Sequence, residues 1–161
     1  MLTPIQNRRR GTAHGTFAIA ASSYNAKYVD AMLRAAKAEL KRAGVKSIQV
    51  VRVPGAFEIP AVAAKLAAGS EAASPPAAII CLGVIFQGQT SHAQHIGWGV
   101  THALAQIQVQ HRLPVIHGVF VFESEVHAKV RCLGRKHNRG REAAQTALAM
   151  ARVMAGLAKA R

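Results

Sequence analysis

Ten residues, Ala77 to Phe86 (AAIICLGVIF), run without polar alternation and constrain the fold more than any other stretch of the chain. A strand with one wet face alternates apolar and polar side chains. An apolar run rich in β-branched residues is covered on both faces, as in the middle of a parallel sheet. The character then changes abruptly. Gln87-Gly-Gln-Thr-Ser-His92 is small and polar, and Ile96, Val100, Ala103, Leu104 and Ile107 follow at helical spacing. Strand, glycine turn and helix start therefore follow one another. The free N–H groups and positive dipole end of such a helix favour a phosphate or carboxylate. Thr90 or Ser91 is placed to cap it, and His92 falls in its first turn, beside any anion bound there.

The flanking chain repeats this pattern. Thr16 to Ala21 reads as a first strand, and Ser22-Ser-Tyr-Asn25 offers a cap. Val29, Met32, Leu33, Ala36 and Leu40 then recur at helical spacing up to Gly44. Ser47 to Val53 reads as a second strand ended by Pro54-Gly55, with a second helix from about Glu58 to near Gly69 and Pro60 in its first turn. After the loop 70–76, the central strand and its helix, Pro114 precedes a fourth strand, Val115 to Phe122. A short helix around Ser124 to Leu133, a basic loop from Gly134 to Gly140 and a last helix from Arg141 to about Ala158 complete the chain; the last two helices are expected on one face of the sheet. Four strand–helix alternations with short links predict an α/β three-layer sandwich: a four-stranded parallel sheet, flavodoxin-like, with helices on both faces. Residues 16–158 are expected to form one domain, preceded by a flexible basic arm, residues 1–15, that carries Arg8, Arg9 and Arg10.

Ligands of such sheets bind beyond the carboxyl ends of the strands. Here those ends are Ser22 to Asn25, Pro54 to Glu58, Val84 to His92 and His117 to Glu123. The seven acidic residues are scattered, which argues against a carboxylate pair, and only Glu58 and Glu123 fall near a strand end. There is no Gly-x-Ser-x-Gly elbow, no Walker loop and no dinucleotide fingerprint. His92 is then the best general acid or base, because an imidazole titrates near neutral pH. His95 and His102 share a helical face, but no carboxylate or cysteine completes a metal site, and none is expected. The segment 129–141 holds Lys129, Arg131, Arg135, Lys136, Arg139 and Arg141; one of them reaching the Gly88–Thr90 turn would complete an anion site, and spacing alone does not choose which.

Twenty-one Lys and Arg against seven Asp and Glu give a net charge of +14, which attracts anionic partners and says nothing about fold. Cys81 reads as core, and it and Cys132 lack metal spacing. No signal-peptide pattern or membrane-length run is present, so the expectation is a cytoplasmic protein with no membrane partner.

Three motifs, Val53-Pro-Gly-Ala-Phe-Glu-Ile-Pro60, Leu82-Gly-Val-Ile-Phe-Gln-Gly-Gln-Thr-Ser-His92, and Arg131 through Asn138-Arg-Gly140 followed by Glu142-Ala-Ala144, together resemble the lumazine synthase family of riboflavin biosynthesis over residues 16–155. The resemblance implies condensation of 5-amino-6-(D-ribitylamino)uracil with 3,4-dihydroxy-2-butanone 4-phosphate to 6,7-dimethyl-8-ribityllumazine, with no cofactor, metal or covalent enzyme intermediate. Carried over by residue, His92 matches the proton-transfer histidine and Arg131 the arginine that pairs with phosphate. Gln89 and Thr90 match the phosphate turn. Ala56, Phe57 and Glu58, with Val84, Ile85 and Phe86, match the segments that hold the ribityl chain and pyrimidine, and Tyr24 matches a ring-stacking aromatic residue. Three positions depart from the family pattern: the turn reads Gln87-Gly-Gln-Thr90, His117 stands where phenylalanine is frequent in the substrate site, and Gln94 where aspartate is frequent.

The resemblance also implies a homo-oligomer, a pentamer or a sixty-subunit icosahedral shell of twelve pentamers, with active sites between subunits; the short Gly134–Gly140 link leans towards the shell. Two other readings stand beside it. A nucleic-acid module is suggested by the charge, yet no aromatic residues interleave with the basic ones, so nucleic acid is not the expected partner. A flavin or lumazine carrier, or a riboflavin-forming enzyme, would keep the fold, but the presence of both His92 and Arg131 favours phosphate-eliminating chemistry.

Overall fold

The unbroken apolar run becomes β3, Ala78–Phe86, whose first seven residues are buried. In this computed structural model, which describes residues 15–70 and 74–159, β3 lies inside a four-stranded parallel sheet of order β2-β1-β3-β4. Its neighbours are β1, Thr16–Ser22, and β4, Val115–Phe122, paired in register from Phe17 with Ala78 and from Ile79 with Val115. The outer strand β2, Ser47–Val53, pairs only with β1 and exposes Ser47, Gln49, Val50 and Arg52. Continuous burial on the two inner strands and an exposed outer strand follow from coverage on two faces against one.

Alternate side chains of the inner strands feed two cores. On one face Phe17, Ile19, Ile80 and Leu82 pack under α1 (Ala26–Arg42), α4 (Glu125–Ala128) and α5 (Arg139–Lys159), through Val29, Met32, Leu40, Ala128, Ala144 and Leu148. On the other, Ala18, Ala20, Ile79 and Cys81 meet α2 (Ile59–Ala68) and α3 (His92–His111), through Ile59, Ala63, Val100 and Leu104. The fold is thus the predicted flavodoxin-like three-layer sandwich, and α4 and α5 share a face as expected. Cys81 and Cys132 are buried free thiols, and burial pushes the Cys81 thiol up to about 12.

Several boundaries differ from the sequence reading, each for a local reason. A 3-10 turn, Ala56–Glu58, precedes α2, and the short helix after β4 is α-helical for one turn before widening into a π-helical turn, Lys129–Leu133. The basic loop closes earlier than expected because Asn138, not the chain near Arg141, starts α5. Its Oδ1 accepts from the Gly140 and Arg141 N–H groups at 2.9 and 3.2 Å, and its Nδ2 donates to the Cys132 carbonyl at 2.5 Å. Ser91 holds the N-cap position of α3 without a side-chain cap bond; its Oγ instead lies 3.1 Å from His95 Nε2. The expected basic arm lies outside the described residues except for Gly15.

Candidate active-site cleft

The carboxyl ends of β1, β2 and β3 converge on one side of the sheet, and the loops that leave them are tied together. The Ser23 and Tyr24 N–H groups both donate to the Pro54 carbonyl, at 3.1 and 2.9 Å, which joins the β1–α1 turn to the β2–α2 turn. Asn25 Nδ2 donates to the Val84 carbonyl at 2.7 Å, which joins the same turn to β3. Within the β2–α2 turn the Glu58 carboxylate accepts from the Gly55 N–H at 2.9 Å. A side chain at Gly55 would crowd both neighbours, since a Cβ there would lie 2.8 Å from Glu58 Oε2 and 3.1 Å from Tyr24 Cδ2.

These ties enclose a cleft of about 790 Å³, lined by Tyr24, Asn25, Gly55, Ala56, Phe57, Glu58, Val84, Ile85, Phe86, His92, His95 and Ile96. Its size suits a substrate of a few fused or linked rings, and its walls are largely apolar with a few polar groups, the usual make-up of a small-molecule site. Tyr24 and Phe57 remain 69% and 63% exposed, an unusual cost for aromatic residues unless a planar ligand or a partner surface covers them. Behind the cleft Phe86 meets the Tyr28 ring edge-on at 5.5 Å, and the Tyr28 hydroxyl donates to Glu125 Oε1 at 2.5 Å. Desolvation and the nearby carboxylate push the Tyr28 phenol up to about 12. The same hydrogen bond, with Lys129 and Lys27 beside it, pulls Glu125 down to about 2.

Eight residues singled out from the sequence therefore line one cavity: Tyr24, Ala56, Phe57, Glu58, Val84, Ile85, Phe86 and His92. Gln89 and Thr90 are exposed on the adjoining turn, which Gln87 curls by donating from Nε2 to the Gly88 and Thr90 carbonyls at 3.0 and 2.7 Å. That turn opens directly onto the N-terminus of α3, where His92 is the first helical residue. Arg131 does not line the cleft; it is half-buried on the π-helical turn that follows α4. His117 does not line it either. It is the third residue of β4, opposite Cys81 in the body of the sheet, and not at the strand's carboxyl end as grouped from the sequence. Its Nε2 lies 2.9 Å from Thr101 Oγ1, and partial burial lowers its pKa below the ordinary imidazole value.

Sequence reasoning missed four lining residues. His95 and Ile96 follow His92 by three and four positions, a spacing that puts them on its helical face, so the signal for them was present. Asn25 and Gly55 fall within the strand-end stretches marked from the sequence, Ser22 to Asn25 and Pro54 to Glu58, but their residue types did not single them out. His102, grouped with His95 from its spacing, instead stacks on Trp98 with ring centroids 5.8 Å apart. Among the described residues no group of three or more His, Cys, Asp or Glu is arranged to hold a metal ion, and no helix is long and apolar enough to cross a membrane.

Residues 14–155 match the family model described as 6,7-dimethyl-8-ribityllumazine synthase. Proteins of that name from Stenotrophomonas maltophilia (strain R551-3) and Xanthomonas campestris pv. campestris (strain B100) are each 38% identical to this chain over 140 residues, covering 86% of it and 88% of the relative. One from Nitrobacter hamburgensis is 39% identical over 132 residues, covering 81% of this chain and 80% of its own. With most of the sequence matched by model and relatives alike, the chain belongs to the 6,7-dimethyl-8-ribityllumazine synthase family.

Proposed function

We propose that this protein catalyses the penultimate step of riboflavin biosynthesis, joining 5-amino-6-(D-ribitylamino)uracil and 3,4-dihydroxy-2-butanone 4-phosphate into 6,7-dimethyl-8-ribityllumazine with loss of phosphate and water. The observation that carries the reading is the meeting of Tyr24, the Ala56–Glu58 turn, the Val84–Phe86 strand end and His92 around one cleft at the start of α3. The uracil ring lies against Tyr24, its edge and ribityl chain bounded by residues 56–58 and 84–86. The phosphate sits over Gln89 and Thr90, where the dipole of a twenty-residue helix favours an anion.

The chemistry is carried by the substrates. The aminouracil amine forms a Schiff base with the ketone, phosphate departs, and the second amine closes the ring. The protein holds the two reactants in register, which removes much of the entropic cost of a bimolecular step. His92 moves protons between nitrogen, carbon and leaving oxygen, and an arginine neutralises the departing phosphate. That arginine is Arg131. Its absence from the cleft lining of its own subunit fits a site shared between neighbours, in which one subunit supplies the cleft with His92 and the next supplies Arg131 and His117.

The test is turnover. Purified protein mixed with both substrates forms lumazine, followed by absorbance, faster than the spontaneous condensation subtracted as a blank. Arg131→Ala lowers that rate by orders of magnitude. A wild-type rate equal to the blank sinks the proposal, and riboflavin produced from lumazine alone replaces it with the riboflavin-forming reaction.

A further inference from the structure

We infer that Asn25 is a positioning residue: by tying the β1–α1 turn to the end of β3, its side-chain amide holds the Tyr24 ring in place as one wall of the cleft. Asn25 sits at φ 57°, ψ 38°, in the left-handed region that few residues other than glycine adopt without cost. It occupies the N-cap position of α1, where an asparagine normally turns its side chain back onto first-turn N–H groups. Here no such cap bond forms. The amide is directed across the sheet instead, donating to the Val84 carbonyl at 2.7 Å over 59 residues of sequence. The paired register of β1 and β3 ends at Ala21 with Leu82, so the amide takes the place that a further rung of the ladder would hold.

The turn is thereby held from two sides, by the Pro54 carbonyl through the Ser23 and Tyr24 backbone and by Val84 through the Asn25 side chain. Tyr24 needs that support. A ring 69% exposed obtains little orientation from packing, and its close neighbour is Gly55, which offers only backbone. The bond also joins two parts of the cleft lining, because the carbonyl that anchors the turn belongs to Val84, itself a lining residue. Releasing the amide frees the turn to rotate the ring away from the cavity. The consequence for ligand affinity rests on the proposed function, but the anchoring itself does not.

The chain has two tyrosines, Tyr24 and Tyr28, so 3-fluorotyrosine labelling gives two ¹⁹F resonances, with buried Tyr28 as an internal control. Asn25→Gly keeps the left-handed backbone accessible and removes the amide. Asn25→Asp keeps size and turn preference but sets an acceptor against the Val84 carbonyl. In the ligand-free full chain, both substitutions are expected to shift the Tyr24 resonance towards that of free fluorotyrosine and narrow it, leaving the Tyr28 resonance in place. With substrates, KM for the aminouracil rises about five- to tenfold, the loss of roughly one hydrogen bond, while kcat stays within about twofold. An unmoved Tyr24 resonance overturns the inference; if affinity still falls, Asn25 is a direct ligand contact and not a positioning residue. A shifted resonance with unchanged KM upholds the anchoring and overturns its consequence for ligand affinity. Should the wild type prove inactive, the reaction is wrong, yet the spectra taken without ligand still decide whether Asn25 orients Tyr24.

Discussion

At the scale of single residues, the most exposed proposal concerns His92. If it moves protons in the reaction, His92→Gln lowers kcat by about 10²-fold or more while leaving lumazine affinity nearly unchanged, because glutamine keeps hydrogen-bonding capacity but not proton transfer. Steady-state kinetics beside fluorescence titration with lumazine separates the two effects. Glu125 supports a different prediction, on stability. Its carboxyl is depressed from 4.5 to about 2 by the Tyr28 hydroxyl, Lys129 and Lys27. A depressed carboxylate contributes stability that is fully present above its unfolded value and is lost as pH falls towards its folded value. Between about pH 4.5 and 2, wild-type stability therefore falls more steeply than that of Glu125→Gln, as chemical denaturation at a series of pH values would record. Equal slopes would mean that the Tyr28–Glu125 contact does not persist in solution.

At the scale of elements, the junction of α1 and α5 is unusually close. A Cβ on Gly140 would lie 2.0 Å from the Met32 carbonyl oxygen, so α5 begins directly against the backbone of α1. In an exposed helix, glycine to alanine gains up to about 1 kcal/mol. Here the sign reverses: Gly140→Ala forces the helices apart and destabilises by about 1–3 kcal/mol, as overpacking does. Asn138 acts two residues earlier. Its side chain serves two α5 N–H groups and the Cys132 carbonyl, fastening the helix start to the π-helical turn that carries Arg131. Asn138→Ala is expected to cost about 1–2 kcal/mol, the usual worth of a cap, measured by urea denaturation.

At the scale of the whole molecule, the cleft and the basic π-helical turn are separate on one chain, and a shared site would unite them. Subunit mixing tests this directly. His92→Ala and Arg131→Ala proteins are each expected to be nearly inactive, but unfolded together and reassembled at equal proportions they restore up to roughly one quarter of wild-type activity, since random cyclic assembly joins one intact half-site of each kind in that fraction of interfaces. With each variant inactive alone, no recovery would place both residues in one subunit's site. Sedimentation of the same mixtures reports whether assembly occurred. The net charge of +14 per chain opposes association at low ionic strength, where the Debye length is long, so assembly is expected to strengthen between 10 and 150 mM salt.

Periodicity is a local property, and what it encodes was legible before any coordinates. The unbroken run Ala77–Phe86 predicts a strand covered on two faces, and β3 lies inside the sheet. The alternation of strands and amphipathic helices predicts parallel order, and the loops at the strand ends mark where Tyr24, residues 56–58, residues 84–86 and His92 meet. What periodicity cannot encode is which distant groups satisfy one another. The Asn25 amide reaches Val84 and Tyr28 reaches Glu125, across 59 and 97 residues, because sheet order brings those segments together. Asn138 starts α5 through bonds that are local, to the Cys132 carbonyl six residues back and from the Gly140 and Arg141 N–H groups, a cap that hydrophobic periodicity does not encode. His117 stays in the body of β4, and Arg131 stays away from its own cleft, because the register of the strand and the path of the helix after it are settled by packing against the sheet. Sequence by itself determined the layers and the loops that could carry a site; tertiary contacts decided which side chains share the cavity, since hydrogen-bond and packing partners far apart in the chain are chosen only when the sheet is assembled.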